Sequence, residues 1–182
     1  MSKSAKTHEK TPVRAALRPD SQLVAAVRDG LGAVRSADRD HLDVAIRPAF
    51  ADSLALDEAL RHDHARANRW DYLLGHTATR ALVAVEPHQA KEGEIPVVIA
   101  KRDAAVQQLR GHLVDGARVA KWLWVASGSV FFADTEKTRR QLDMAGVEFV
   151  GQRVLARHLE GLPSGGASLE TRRGGGSKKR RR

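Results

Sequence analysis

Two short runs between residues 69 and 94 constrain this chain most: Arg69-Trp70-Asp71-Tyr72-Leu73-Leu74 and Ala81-Leu82-Val83-Ala84-Val85-Glu86-Pro87-His88, parted by a turn containing Gly75 and His76. Both are rich in aliphatic or aromatic residues and bounded by turn formers, the pattern of neighbouring β-strands. Successive strand side chains point to opposite faces. Trp70, Tyr72 and Leu74 are therefore expected on one face of the first run, with Arg69, Asp71 and Leu73 on the other. In the second, Leu82, Ala84, Glu86 and His88 share a face opposite Val83 and Val85. Glu86 and His88 can thus look into one pocket. Pro87 has no N–H to give a ladder, so it is expected at a strand end or on an edge.

The flanking segments supply the rest of an α/β or α+β fold with a mixed central sheet and flanking helices. Leu23, Val24, Val27, Leu31 and Val34 recur at three- and four-residue steps, which predicts a helix from Ser21, weakened by Gly30 and Gly32. A second N-terminal helix is expected over residues 52–67, capped by Asp52 or Ser53, with Asp57 and Glu58 in its first turns where the dipole favours acids. After Lys91-Glu92-Gly93-Glu94, residues 95–113 show helical spacing at Val98, Ala105, Leu109 and Leu113. Trp122, Trp124 and Ala126 alternate with Leu123 and Val125, and apolar residues on both faces mark a buried central strand. Ser127-Gly128 is expected to turn that strand back through Phe132. Asp134 or Thr135 then caps a helix that Gly146 ends, Val147-Glu148-Phe149-Val150 reads as a closing strand, and residues 154–159 form a short last element.

With 182 residues the chain can bury one sizeable core. The expected division is a disordered basic segment over residues 1–20, one domain over 21–160, and a glycine-rich linker with a basic tail over 161–182. The formal charge of +9 suggests nucleic acid at first sight, yet residues 20–164 carry only −1. The basicity belongs to the ends, above all Lys178, Lys179, Arg180, Arg181 and Arg182 behind a flexible Gly/Ser spacer. Such a run can condense on phosphates by counterion release without reading sequence, or serve as a solvated end. The absence of cysteine excludes disulfides, thiolate catalysis and cysteine-held zinc, leaving oxygen or imidazole for any metal. No apolar run is long enough for a membrane span and the first residues lead into no signal-like stretch, so a cytoplasmic location without a membrane partner is expected. His62 and His64, two apart, would diverge on a helix and read as surface residues, as do the isolated His41, His76, His112 and His158.

An acid on one strand, a second acid on the next, then a helix and another strand resemble the restriction-endonuclease-like superfamily, written PD-(D/E)XK. Asp71 matches its first acid and Glu86 its second; His88 stands at the family's lysine position, and Lys91 or Lys101 could supply the cation from elsewhere around the pocket. The resemblance covers residues 52–150. It implies Mg2+ or Mn2+ held by Asp71 and Glu86, phosphodiester hydrolysis with His88, Lys91 or Lys101 assisting, and nucleic acid, DNA foremost, as the partner. Read from the residues alone, Asp71 and Glu86 can equally make ordinary strand-end contacts with Arg69 and Lys91. Lys101 and Gln108 can be the polar half of an amphipathic helix, and Trp122 and Trp124 core rather than stacking platforms. The alternatives in function are a noncatalytic nucleic-acid-binding module of the same fold, or a protein-interaction or regulatory subunit with a protein partner or a second copy of itself.

Overall fold

A computed structural model describes residues 10–61, 68–131 and 135–164. Its centre is a six-stranded mixed sheet in sequential order. Strands β1 (Arg28–Asp29), β2 (Phe50–Ala55), β3 (Tyr72–His76) and β4 (Leu82–Lys91) run antiparallel, each to the next. Strands β5 (Val119–Phe131) and β6 (Glu148–Phe149) continue parallel to β4. The change of direction follows from the connections. A tight turn joins β3 to β4, with His76 N–H bonded to the Ala81 carbonyl at 2.9 Å. Helices α4 (Ile95–Leu109) and α5 (Glu136–Met144) carry the chain back for the two parallel pairs. The architecture is mixed α/β with flanking helices.

Strand alternation divides the core in two. Leu82, Ala84 and Ala90 of β4 join Trp122, Trp124 and Ala126 of β5 on one face, beneath Ile95, Val98, Ala105 and Leu109 of α4. Val83 and Val85 join Leu123 and Val125 on the other, beneath Val34, Leu42, Ile46 and the C-terminal Val154 and Leu162. The two tryptophans are therefore core. Trp122 also meets Trp70 edge-on at 5.1 Å between ring centroids. Trp70 packs on the same face as Leu73, against strict alternation, because the regular strand starts only at Tyr72.

Several expectations about the ends of the domain need correction. The helix expected from Ser21 is one 3-10 turn, Gln22–Ala26, followed by β1. Gly30 takes a positive φ of 54° just beyond it. Leu23 and Val27 enter the first core while Val34 enters the second, so the periodic residues serve two faces of a sheet rather than one helix. The helix expected over residues 52–67 is β2 followed by a single turn, α3 (Leu56–Ala59); residues 62–67, including His62 and His64, lie outside the described residues. Neither Asp52 nor Ser53 caps that helix. Asp52 is fully buried and accepts the N–H groups of Val13 and Arg14, each at 3.0 Å, while Ser53 Oγ accepts from Ala33 N–H at 3.0 Å.

Those bonds fix α1 (Pro12–Ala16) to the sheet, inside the stretch expected to be disordered. Val13 and Leu17 are buried, so the folded unit includes residues 10–20. The expected hairpin at Ser127-Gly128 is absent, because β5 runs on to Phe131 beside Lys91 of β4. Pro87 lies inside β4, two residues beyond Val85, the last β4 residue paired with β3, and so holds the expected edge position rather than the strand end. It thus ends one ladder while the strand continues against β5 alone.

Candidate active site

The ladder between β3 and β4 stops where the two acids begin. Tyr72 faces Val85, which carries Asp71 to Glu86 one residue further along each strand. There the Glu86 side chain takes over from the backbone, accepting the Asp71 N–H on Oε2 at 2.9 Å. Lys101 of α4, which covers this face, directs its ammonium between the acids. It hydrogen-bonds Glu86 Oε1 and stands 3.6 Å from Asp71 Oδ1. The two carboxylates therefore share one face and one cation.

Their surroundings favour the neutral acids. Burial first, then the neighbouring Asp71 charge, push the Glu86 carboxyl up to about 8, against the pull of Lys101 and the Asp71 N–H. Burial also raises Asp71; Lys101 opposes it, and Asp57 and Asp38 add to it. Desolvation outweighs the single lysine because Glu86 has no exposed surface.

His88 follows on the same face. Its Nε2 lies 2.8 Å from Glu94 Oε2 and its Nδ1 3.5 Å from Glu86 Oε1. Lys91 is exposed at the end of β4 and makes no ion pair among the described residues. Arg69 pairs with Asp57 at 2.7 Å, so the strand-end contacts considered with Arg69 and Lys91 are replaced by Lys101. Gln108 works one step back: its Nε2 donates to the Asn68 carbonyl at 3.0 Å, holding the chain that leads into Asp71. The structure thus brings Asp71, Glu86, His88 and Lys101 together and leaves Lys91 apart; Lys178, Lys179, Arg180, Arg181 and Arg182 lie outside the described residues.

No family model, curated protein or solved structure matches the chain.

Sequence reasoning missed Glu94, Asp57 and Asp38. Glu94 lies six residues beyond His88, across a strand end and a 3-10 turn, a separation with no local periodicity to betray it. Asp38 accepts the Tyr72 hydroxyl at 2.5 Å from a segment 34 residues away. Asp57 was read only as a first-turn acid of the helix expected over residues 52–67; it lies in α3, the one turn of that helix that forms, where Arg69 and Arg61 both reach it. A narrow cleft opens beside Asp71, lined by Arg35, Ala55, Asp57, Glu58, Asp71 and Tyr72.

The donor set fits a hard cation of the magnesium kind, which uses one or two carboxylates and keeps several waters. Asp71 and Glu86 supply those two, and the charge that Lys101 places between them marks where positive charge is favoured. Among the described residues no three histidine or acidic side chains form a ready ligand cluster. Among the same residues no helix is long and apolar enough to cross a membrane.

Proposed function

We propose that this is a metal-dependent, nuclease-like protein of the cytoplasm that acts on nucleic acid by phosphodiester hydrolysis. The observation that carries the reading is the convergence of Asp71 and Glu86, from adjacent chain segments, on the Lys101 ammonium. The order of elements supports it as well: α1, the antiparallel β2–β3–β4, α4 and the parallel β5 follow the helix, meander, helix, strand order of a restriction-endonuclease-like core.

In this reading Asp71 and Glu86 hold Mg2+ or Mn2+, which when bound supplies a Lewis acid and a more acidic water. Lys101 takes the cationic role that the strand position occupied by His88 would otherwise fill. Its ammonium already lies against both acids, and it balances the charge of a phosphate brought to them. Glu94 fixes the His88 ring, which leaves Nδ1 turned toward Glu86. Lys91 has no part at the acids.

Incubating the purified full chain with plasmid DNA and with labelled RNA, in Mg2+, Mn2+ or EDTA, tests the proposal. Metal-dependent cleavage lost in Asp71→Asn and Glu86→Gln supports it. A second reading, a noncatalytic nucleic-acid-binding module, is favoured by the Lys101–Glu86 contact, which satisfies the buried acid without a metal. Binding without cleavage under every condition would select that module. Neither binding nor cleavage would overturn both and leave an interaction subunit, with a protein partner or a second copy of the chain.

A further inference from the structure

Arg35 stands on the rim of the cleft that Asp71 lines, and its placement there is built rather than incidental. The segment bearing it is anchored to the residue next to Asp71. Tyr72 donates its hydroxyl to Asp38 Oδ2 at 2.5 Å. This bond holds α2 (Ser36–Arg39), which Arg35 directly precedes, against the first residue of β3. Burial, Asp38 and its hydrogen bond raise the Tyr72 hydroxyl far above its usual range, so the phenol stays a neutral donor.

The guanidinium itself is loosely committed. Its ion-pair partner among the described residues is Glu58, with Nη2 to Oε1 at 3.0 Å. The two side chains are 61% and 54% exposed, and an exposed pair of this kind contributes little. The other arginines near the cleft are held differently: Arg69 and Arg61 both pair with Asp57. Arg35 is thus the cation on the cleft lining, and two oxygens of a phosphate suit its planar fork as well as the Glu58 carboxylate does.

We propose that Arg35 is a substrate-positioning residue that leaves Glu58 to bind a phosphate of the nucleic-acid strand adjoining the one at Asp71 and Glu86. This rests on the nucleic-acid reading of the site. The strand then passes over the mouth of the cleft, held at Asp71 and at Arg35.

The test uses the full chain and a short fluorescein-labelled DNA duplex, with affinity followed by anisotropy across a salt series and cleavage kinetics measured in Mn2+. Arg35→Ala is expected to weaken binding about tenfold and to flatten the dependence of log affinity on log salt by about one, the signature of one lost phosphate contact. KM rises while kcat is kept. Arg35→Lys restores part of the affinity. Glu58→Gln, which frees the guanidinium, binds no more weakly than the unsubstituted chain, whereas a merely structural ion pair would make Glu58→Gln as damaging as Arg35→Ala. A chain that binds or cuts nucleic acid, with Arg35→Ala unchanged in salt slope and KM, overturns the role of Arg35 alone. Equal damage from Glu58→Gln overturns it too. If the unsubstituted chain neither binds nor cuts, the reading of the site fails and the role of Arg35 with it.

Discussion

Replacing Glu86 by glutamine should change how the stability of the metal-free protein depends on pH. Glu86 has no exposed surface, and burial and Asp71 raise its carboxyl from 4.5 to about 8. The folded state therefore holds a proton that the unfolded chain releases near the ordinary carboxyl value. With the folded value raised, the stabilisation is complete below about pH 4.5 and is lost as pH rises through about 8. Inside that window unfolding releases close to one proton, so stability falls by about 1.36 kcal/mol per pH unit. From about pH 5.5 to about pH 8 the fall amounts to about 3 kcal/mol, roughly a fifth to three fifths of the stability of an ordinary domain.

Glu86→Gln keeps the shape of the neutral acid and removes the titration. Urea denaturation in EDTA, repeated across that pH range on both proteins, reads the difference directly. The two should lie close at the acid end, with the glutamine protein gaining on the unsubstituted one by about 3 kcal/mol toward pH 8. Asp71 is raised by burial as well and couples to Glu86, so the measured change belongs to the pair. Stability curves that stay parallel across the range would refute the reasoning: Glu86 would then be ionised throughout, with Lys101 outweighing its burial.

Other consequences concern the supports of the site. Asp52→Ala removes the acceptor of two backbone amides at the start of α1 and should cost about 2–4 kcal/mol by urea denaturation. Gly75→Ala would place a methyl group 2.1 Å from Asp52 Oδ1 and 2.8 Å from Pro12 Cβ, so it should destabilise too. Combined with Asp52→Ala its additional cost should shrink, which a double-mutant cycle would measure. Tyr72→Phe, which takes the hydroxyl from Asp38, should cost about 1–2 kcal/mol and weaken nucleic-acid binding in the same direction as Arg35→Ala, read by urea denaturation and anisotropy. Removing residues 178–182 should lower the salt dependence of any nucleic-acid binding while leaving any metal-dependent cleavage intact, because it takes away five cations and none of Asp71, Glu86 and Lys101.

The strands and helices legible in the sequence are those whose neighbours in the chain are also their neighbours in space. The turn between β3 and β4, the amphipathic α4, and α5 with Gly146 at its end and Thr135 capping its start were all readable from local pattern. The N-terminal third was misread because its partners are distant. Phe50–Ala55 contains Asp52 and Ser53, which look like helix caps locally. Their acceptors are nevertheless spent on Val13, Arg14 and Ala33, from elsewhere in the chain. Leu23 and Val27 likewise have helical spacing, but they reach one core while Val34 reaches the other. Period alone cannot distinguish one buried helical stripe from a segment that passes around a sheet edge.

At the site the same limit takes a chemical form. Strand parity was sufficient to place Glu86 and His88 on one face, and the resemblance pointed to a lysine where β4 carries His88. Choosing Lys101 over Lys91 required the crossover geometry: α4 returns across the face carrying Glu86, whereas Lys91 continues along β4 to the sheet end. Strand position, not distance along the chain, thus determines which cation meets the acids. Lys91 lies five residues from Glu86 and faces solvent, while Lys101 lies fifteen away and contacts it. For the same reason Arg35, far from Asp71 in sequence, lines the cleft beside it because the Tyr72–Asp38 bond holds the following helix there. A lysine on the crossover helix reaches both acids because the sheet fixes where they lie and α4 returns across that place.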